Sequence, residues 1–115
     1  MKTYAYQLDI QWEKKKDNFR KIRKLTELHQ PDKGSLIILP EMFATGFSMN
    51  TEITQEKEDG PSVNFLKTFA SETGCYVIGG MTQTKAIGKP TNDALLISPD
   101  GSRMGEYSKI HPFSL

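Results

Sequence analysis

The spacing of apolar and polar positions changes several times along the 115 residues, and each change marks an element. Thr3 to Ile10 alternates aromatic or apolar residues with smaller ones, the period of a strand. From Glu13 to His29 the period lengthens. Phe19, Ile22, Leu25 and Leu28 recur at every third position with Lys and Arg between them, which predicts an amphipathic helix. Pro31-Asp32-Lys33-Gly34 ends it, because proline cannot continue the ladder and glycine relieves the backbone. Leu36 to Leu39 is apolar throughout, as expected of a strand buried on both faces, and runs straight into Pro40-Glu41. Strand, helix and strand with short joints form a βαβ unit, so these two strands are expected to be parallel.

Thr45 to Asp59 is polar and reads as part of a loop of about 18 residues ending at Gly60; ordered loops of this length tend to carry function. Gly60-Pro61 opens a second helix with Val63, Leu66, Phe69 and Ala70 on one side, and Gly74 is placed to end it. Cys75 to Gly80 is another buried strand, and Met81 to Thr84 continues it. The paired Gly79 and Gly80 imply that side chains there would obstruct a neighbouring backbone or a substrate. Ala94 to Ser98 and Ser102 to Tyr107 form a hairpin across Pro99-Asp100-Gly101, each residue suited to its place in the turn. The resulting order is β-α-β-loop-α-β-β-β-β, without repeats or low-complexity tracts. It points to an α/β chain with a mixed, α+β-like sheet, helices on one face and an apolar opposite face in need of a cover.

Composition narrows the choices. With 37% hydrophobic and 25% charged residues the chain suits one domain with a modest core. Fifteen Lys and Arg against fourteen Asp and Glu leave a net charge of +1. Such a balance offers no global field to recruit nucleic acid or a membrane surface. The first residues lack the apolar centre of a signal peptide. No segment reaches the ~18 consecutive apolar residues of a membrane span. The single cysteine cannot form an internal disulfide, so the expectation is a cytoplasmic protein.

Glu41 is the first candidate for chemistry, because ligands of open α/β sheets gather beyond the carboxyl ends of such strands. The plain alternative is a carboxylate that marks where the chain reaches solvent. Apolar neighbours Met42 and Phe43 would disfavour its charged form and favour proton exchange. Lys109, at the end of the hairpin, reads either as a surface lysine or as a buried cation able to hold charge on a substrate oxygen. His111 is expected to be a hydrogen-bonded structural residue and His29 to lie at a helix end; the two lack metal-ligand spacing. Cys75 reads as packed core rather than as a nucleophile. Trp12 and Lys14-Lys15-Lys16 read as the start of a helix and its solvated face. Neither a phosphate-binding glycine loop nor a metal motif is present, so no cofactor is expected.

Together, Leu39-Pro40-Glu41-Met42-Phe43-Ala44-Thr45-Gly46-Phe47-Ser48-Met49, the Ser98-Pro99-Asp100-Gly101 turn and Tyr107-Ser108-Lys109-Ile110-His111-Pro112-Phe113 resemble the nitrilase superfamily of carbon–nitrogen hydrolases. The first motif looks most like its omega-amidase branch, which hydrolyses the terminal amide of 2-oxo-dicarboxylic monoamides. The resemblance implies the N-terminal part of an α-β-β-α sandwich and a Glu-Lys-Cys triad. Glu41 would be the general base, Lys109 the cation that stabilises the tetrahedral intermediate, and Phe43 a substrate contact. Cysteine attacks the amide carbon, ammonia leaves, and water hydrolyses the thioester.

The family's nucleophile follows the lysine by some tens of residues, whereas this sequence stops at Leu115 and Cys75 matches no nucleophile position. Residues 1–115 therefore look like a partial carbon–nitrogen hydrolase domain, expected to be inactive alone and to associate with itself through its uncovered sheet. The other readings are a non-catalytic module of the same fold that binds a small ligand, and a flavodoxin-like cofactor domain, which would lack its phosphate loop.

Overall fold

The computed structural model describes residues 1–112, so Phe113 of the second motif lies outside the described residues. The elements are β1 (Thr3–Ala5), α1 (Lys15–His29), β2 (Leu36–Ile38), α2 (Thr51–Thr54), β3 (Gln55–Glu56), α3 (Pro61–Thr73), β4 (Tyr76–Gln83), β5 (Thr91–Ile97) and β6 (Arg103–Ser108). They build one sheet in the order β1-β2-β4-β5-β6, with β3 beside β4. β1, β2 and β4 are parallel, as the βαβ reading requires, and β5 and β6 close the sheet antiparallel. Stepping from β1 to β2 to β4 in one direction with right-handed crossovers places α1 and α3 on the same face.

Three strands follow α3 rather than the four of the expected order, and β4 runs unbroken from Tyr76 to Gln83, as the continuation through Met81 implied. The long loop after Glu41 is also more regular than expected: it contains the single turn α2 and the short β3, whose Glu56 pairs with Gln83 of β4. β1 stops at Ala5 rather than Ile10. Its neighbour β2 is only three residues long and ends at Ile38, whose carbonyl accepts Tyr6 N at 2.9 Å.

The core lies between the helices and one face of the sheet. Ile37, Val77, Leu95 and Ile97 point into it, facing Ile22 of α1 and Val63, Leu66 and Phe69 of α3. Phe65 stacks on Phe19 with ring centroids 4.4 Å apart and on Phe69 at 5.3 Å. The opposite face carries Leu36, Ile38, Ile78, Ala94 and Leu96, all partly exposed. β2 is therefore buried on one face only, not on both as its apolar run had indicated, because the helices cover a single side of the sheet.

The three-residue spacing in α1 does not hold one face. A helix turns by about 100° per residue, so Leu28 ends roughly half a turn round from Phe19. Ile22 is fully buried, whereas Leu28 is 72% exposed. Asn18 takes the inward position instead. Its side chain accepts from Gln11 N and donates to Ala44 O, both at 2.7 Å, and so ties the helix to the segments on either side of it. α3 ends as its sequence indicates: Gly74 adopts φ +67° and its N–H returns to Ala70 O.

The hairpin turn is built from short-range bonds. Gly101 N donates to Ser98 O and Ser102 N to Asp100 Oδ1, at 2.9 and 2.8 Å. Bonds from Ser98 and Ser102 hold the Asp100 carboxyl at about 2, well below its ordinary value.

Truncation of the buried Ile22 to Ala is expected to destabilise the fold by about 2–4 kcal/mol, through lost transfer energy and a residual cavity. Leu28→Ala is expected to change stability by less than about 0.5 kcal/mol. Urea unfolding of the two variants checks the assignment of the helix face.

Candidate functional site

β2 delivers Glu41 to the open face. Leu39 N bonds to Ile78 O at 2.8 Å, Pro40 ends the ladder, and the chain then crosses over β4. Two glycines permit that crossing. A Cβ on Gly80 would stand 3.0 Å from Glu41 Cα and 3.2 Å from Met42 N, and one on Gly79 would meet Phe43 Cε1 at 3.0 Å on the helix side. A neighbouring backbone is thus what a side chain at position 80 would obstruct. Met42 turns the chain with φ 53°, sending its own side chain and that of Phe43 inward.

β6 delivers Lys109 to the same place from the other direction. Asp93 pairs with Ser108 in the antiparallel register, so the next pair outward is Asn92 with Lys109, and Lys109 N donates to Asn92 O at 2.8 Å. Lys109 Nζ lies 2.9 Å from Glu41 Oε1. Asn92 Nδ2 donates to that same oxygen at 2.6 Å. The three side chains border a hollow of about 300 Å³ on the open sheet face, floored by Ile38, Ile78 and Ala94 and flanked by Tyr107. Lys109 and Asn92 also border a smaller cleft of about 110 Å³ against Phe47, Met49 and Thr54.

Glu41 and Lys109, 68 residues apart in sequence, are therefore brought together. Both side chains are 40% exposed, so Glu41 is not walled by apolar groups as Met42 and Phe43 had implied, and Lys109 is not a buried cation. Phe43 is not available to a substrate. It is fully buried on the helix side, with Phe19 and Phe65 about 6 Å away, because the left-handed turn at Met42 carries the chain to the face opposite Glu41. Cys75 is fully buried, its thiol 3.3 Å from Asp32 O. It sits five positions before Gly80 on β4, roughly 16 Å from the hollow at ~3.3 Å per residue. His29 closes α1 as expected, whereas His111 is exposed rather than held in a structural network.

Three polar features were not foreseen. Asn92 is the first. The second is Lys15, expected on a solvated face but only 19% exposed, with Nζ 2.8 Å from Glu56 Oε2. Glu56 in turn accepts from Ser62 N at 2.7 Å and Ser62 Oγ at 2.5 Å, which caps the start of α3. The third is Asp93, buried behind Asn92. Burial pushes its carboxyl up, but bonds from Ser108, Gln83, Thr91 and Lys85 outweigh that and hold it below the ordinary value. Lys85 is raised in turn, chiefly by its bond to Asp93. Among the described residues there is no group of three or more His, Cys, Asp or Glu side chains arranged to hold a metal ion.

Known proteins share this architecture. A family model for carbon-nitrogen hydrolases matches residues 3–114, and the chain belongs to that family. It is 35% identical over 101 residues to a nitrilase of Pyrococcus abyssi, an overlap of 84% of this chain and 38% of that protein. To the omega-amidase NIT2-B of Xenopus laevis it is 31% identical over 102 residues, covering 88% of this chain and 37% of the relative. The crystal structure of XC1258 from Xanthomonas campestris, a CN-hydrolase superfamily protein, matches at TM-score 0.83 and 31% identity. That match covers 96% of this chain and 41% of the solved one. The mixed sheet with its helix layer is thus the nitrilase-type fold, and the chain spans well under half the length of these relatives.

Because Gly80 touches the backbone that carries Glu41, Gly80→Ala is expected to cost about 1–3 kcal/mol of stability through overpacking. Urea unfolding reads the cost. Amide chemical shifts are expected to move most at Glu41 and Met42, with α1 left unchanged.

Proposed function

We propose that the Glu41–Lys109 pair is the proton-transfer half of an amidase site for small carboxylic acid amides, omega-amidase-like in substrate. The attacking cysteine would come from family sequence other than these residues. What supports this most is the 2.9 Å contact between a carboxylate from the tip of β2 and an ammonium from the end of β6, at the rim of an apolar-floored hollow. The relatives named nitrilase and omega-amidase favour the same chemistry.

Each group has a role that follows from its chemistry. Glu41 accepts the thiol proton as sulfur attacks the amide carbon, passes it to the departing ammonia, then takes a proton from the water that cleaves the thioester and returns it to the released sulfur. Lys109 has three donors and no acceptor, so after holding Glu41 by one it can offer another to the carbonyl oxygen as negative charge gathers there. Such help counts only in the intermediate, which is where it speeds the reaction. Ile38, Ile78 and Ala94 offer apolar contact to a short carbon chain between the amide and a distal carboxylate.

The second reading is a non-catalytic module that binds a small ligand in the same hollow. Ammonia release from 2-oxoglutaramate separates the two when run beside calorimetric titration of the same compound. The 115-residue chain is expected to release no ammonia and to bind only when the remaining sequence of a family member is supplied. Turnover by the chain alone would overturn the division of labour, and binding by the chain alone would favour the module.

The open sheet face also bears on partners. With Ile38 36% and Tyr107 62% exposed beside half-buried Ile78 and Leu96, that face carries apolar surface of the kind that drives association. Light scattering is expected to show the chain as a homo-oligomer at micromolar concentrations. A well-folded monomer throughout that range would count against self-association.

A further inference from the structure

We propose that Asn92 is a positioning residue: its side-chain amide holds Glu41 by Oε1, so that the other carboxylate oxygen stays free as the proton acceptor. This deepens the amidase reading and rests on it. Asparagine is a poor strand residue, yet it occupies β5 one step from Asp93, on the open face that elsewhere shows Ala94 and Leu96. Its placement serves both partners. The amide reaches Glu41 Oε1 at 2.6 Å, while its main-chain carbonyl accepts Lys109 N at 2.8 Å. One residue thus sets the carboxylate and the start of the lysine side chain.

The need for it follows from the chemistry of lysine. An ammonium on a flexible four-carbon stem has three rotatable donors and no fixed geometry. Alone with a carboxylate it is free to bridge both oxygens, which would consume the base. The amide of Asn92, fixed to a strand, has a defined direction. With it and Lys109 Nζ both on Oε1, no hydrogen bond falls on Oε2 among the described residues. Asn92 lies at the wall shared by the two cavities, on the sheet face opposite the helix-side core.

The test is a substrate-free measurement on the 115-residue chain. Three-bond couplings in the NMR spectrum report the side-chain rotamers of Glu41. The parent is expected to show one dominant rotamer, and Asn92→Ala is expected to lower its population to about half as other staggered wells fill. Asn92→Asp keeps the size and removes the donor, and is expected to drive Glu41 out of that rotamer by like-charge repulsion. The melting temperature and the β5 and β6 amide shifts serve as controls, since a merely structural role would move those and leave the couplings alone. Unchanged Glu41 couplings in a folded Asn92→Ala or Asn92→Asp chain would overturn the proposal. Should neither variant fold, Glu41→Gln supplies the reverse reading: the Asn92 side-chain amide protons are expected to move upfield on losing a charged acceptor, and failure to move would overturn it. Because no amide is present, the outcome is independent of whether the chain binds or cleaves one.

Discussion

The approach of two main-chain segments at Gly80 governs everything on the open face. A strand end can carry a reactive side chain over a neighbouring strand only where that neighbour has no Cβ, and here the clearance to Glu41 Cα would be 3.0 Å. The crossing fixes the height of Glu41 above the sheet. The left-handed turn at Met42 then returns the chain to the helix side, where Phe43 anchors it among Phe19 and Phe65. Phe43 adds to the hold that Asn18 has on this segment through Ala44 O. The Glu41 carboxylate is held between a packed aromatic cluster on one side of the sheet and a cation on the other.

Lys109 arrives by a different kind of control. Its position depends on the register of β5 against β6, which the local bonds of the Ser98-Pro99-Asp100-Gly101 turn establish. A slip of one residue would send Lys109 to the opposite face, because side chains alternate with period two. The register shift between Leu96 and Ile97 lies near the turn end of the hairpin, so pairing is regular from there to the site. Parallel crossovers thus place Glu41, a tight hairpin places Lys109, and β4 lies between the two arrangements.

What was legible in the sequence follows from how local each determinant is. The hairpin, the glycine stop after α3 and the parallel strand pair depend on nearby residues or on handedness, and all are present. The motif residues Glu41 and Lys109 were recognisable as a pair before their contact was seen. The inward face of α1 was misjudged because a spacing of three drifts against a turn of 3.6 residues. β3 is two residues long, below what periodicity can register, and its burial of Glu56 depends on Lys15 from another helix. Asn92 escaped notice because the strand was expected to begin at Ala94, whereas β5 starts at Thr91. Its meaning lies in two contacts across the sheet, neither of which composition reveals.

The contact between Lys15 and Glu56 has a bearing on motion. Both charges lie largely out of water, so breaking the pair leaves Lys15 unpaired and Glu56 with only its Ser62 bonds, which makes partial opening unfavourable. Glu56 also occupies the amino end of α3, and Lys15 begins α1. The span from Met49 to Thr54 that borders the smaller cleft is thus anchored to both helices just beyond Thr54. Opening the rim from that end would have to break an ion pair and a contact to the start of α3 together, a cost that favours the closed arrangement.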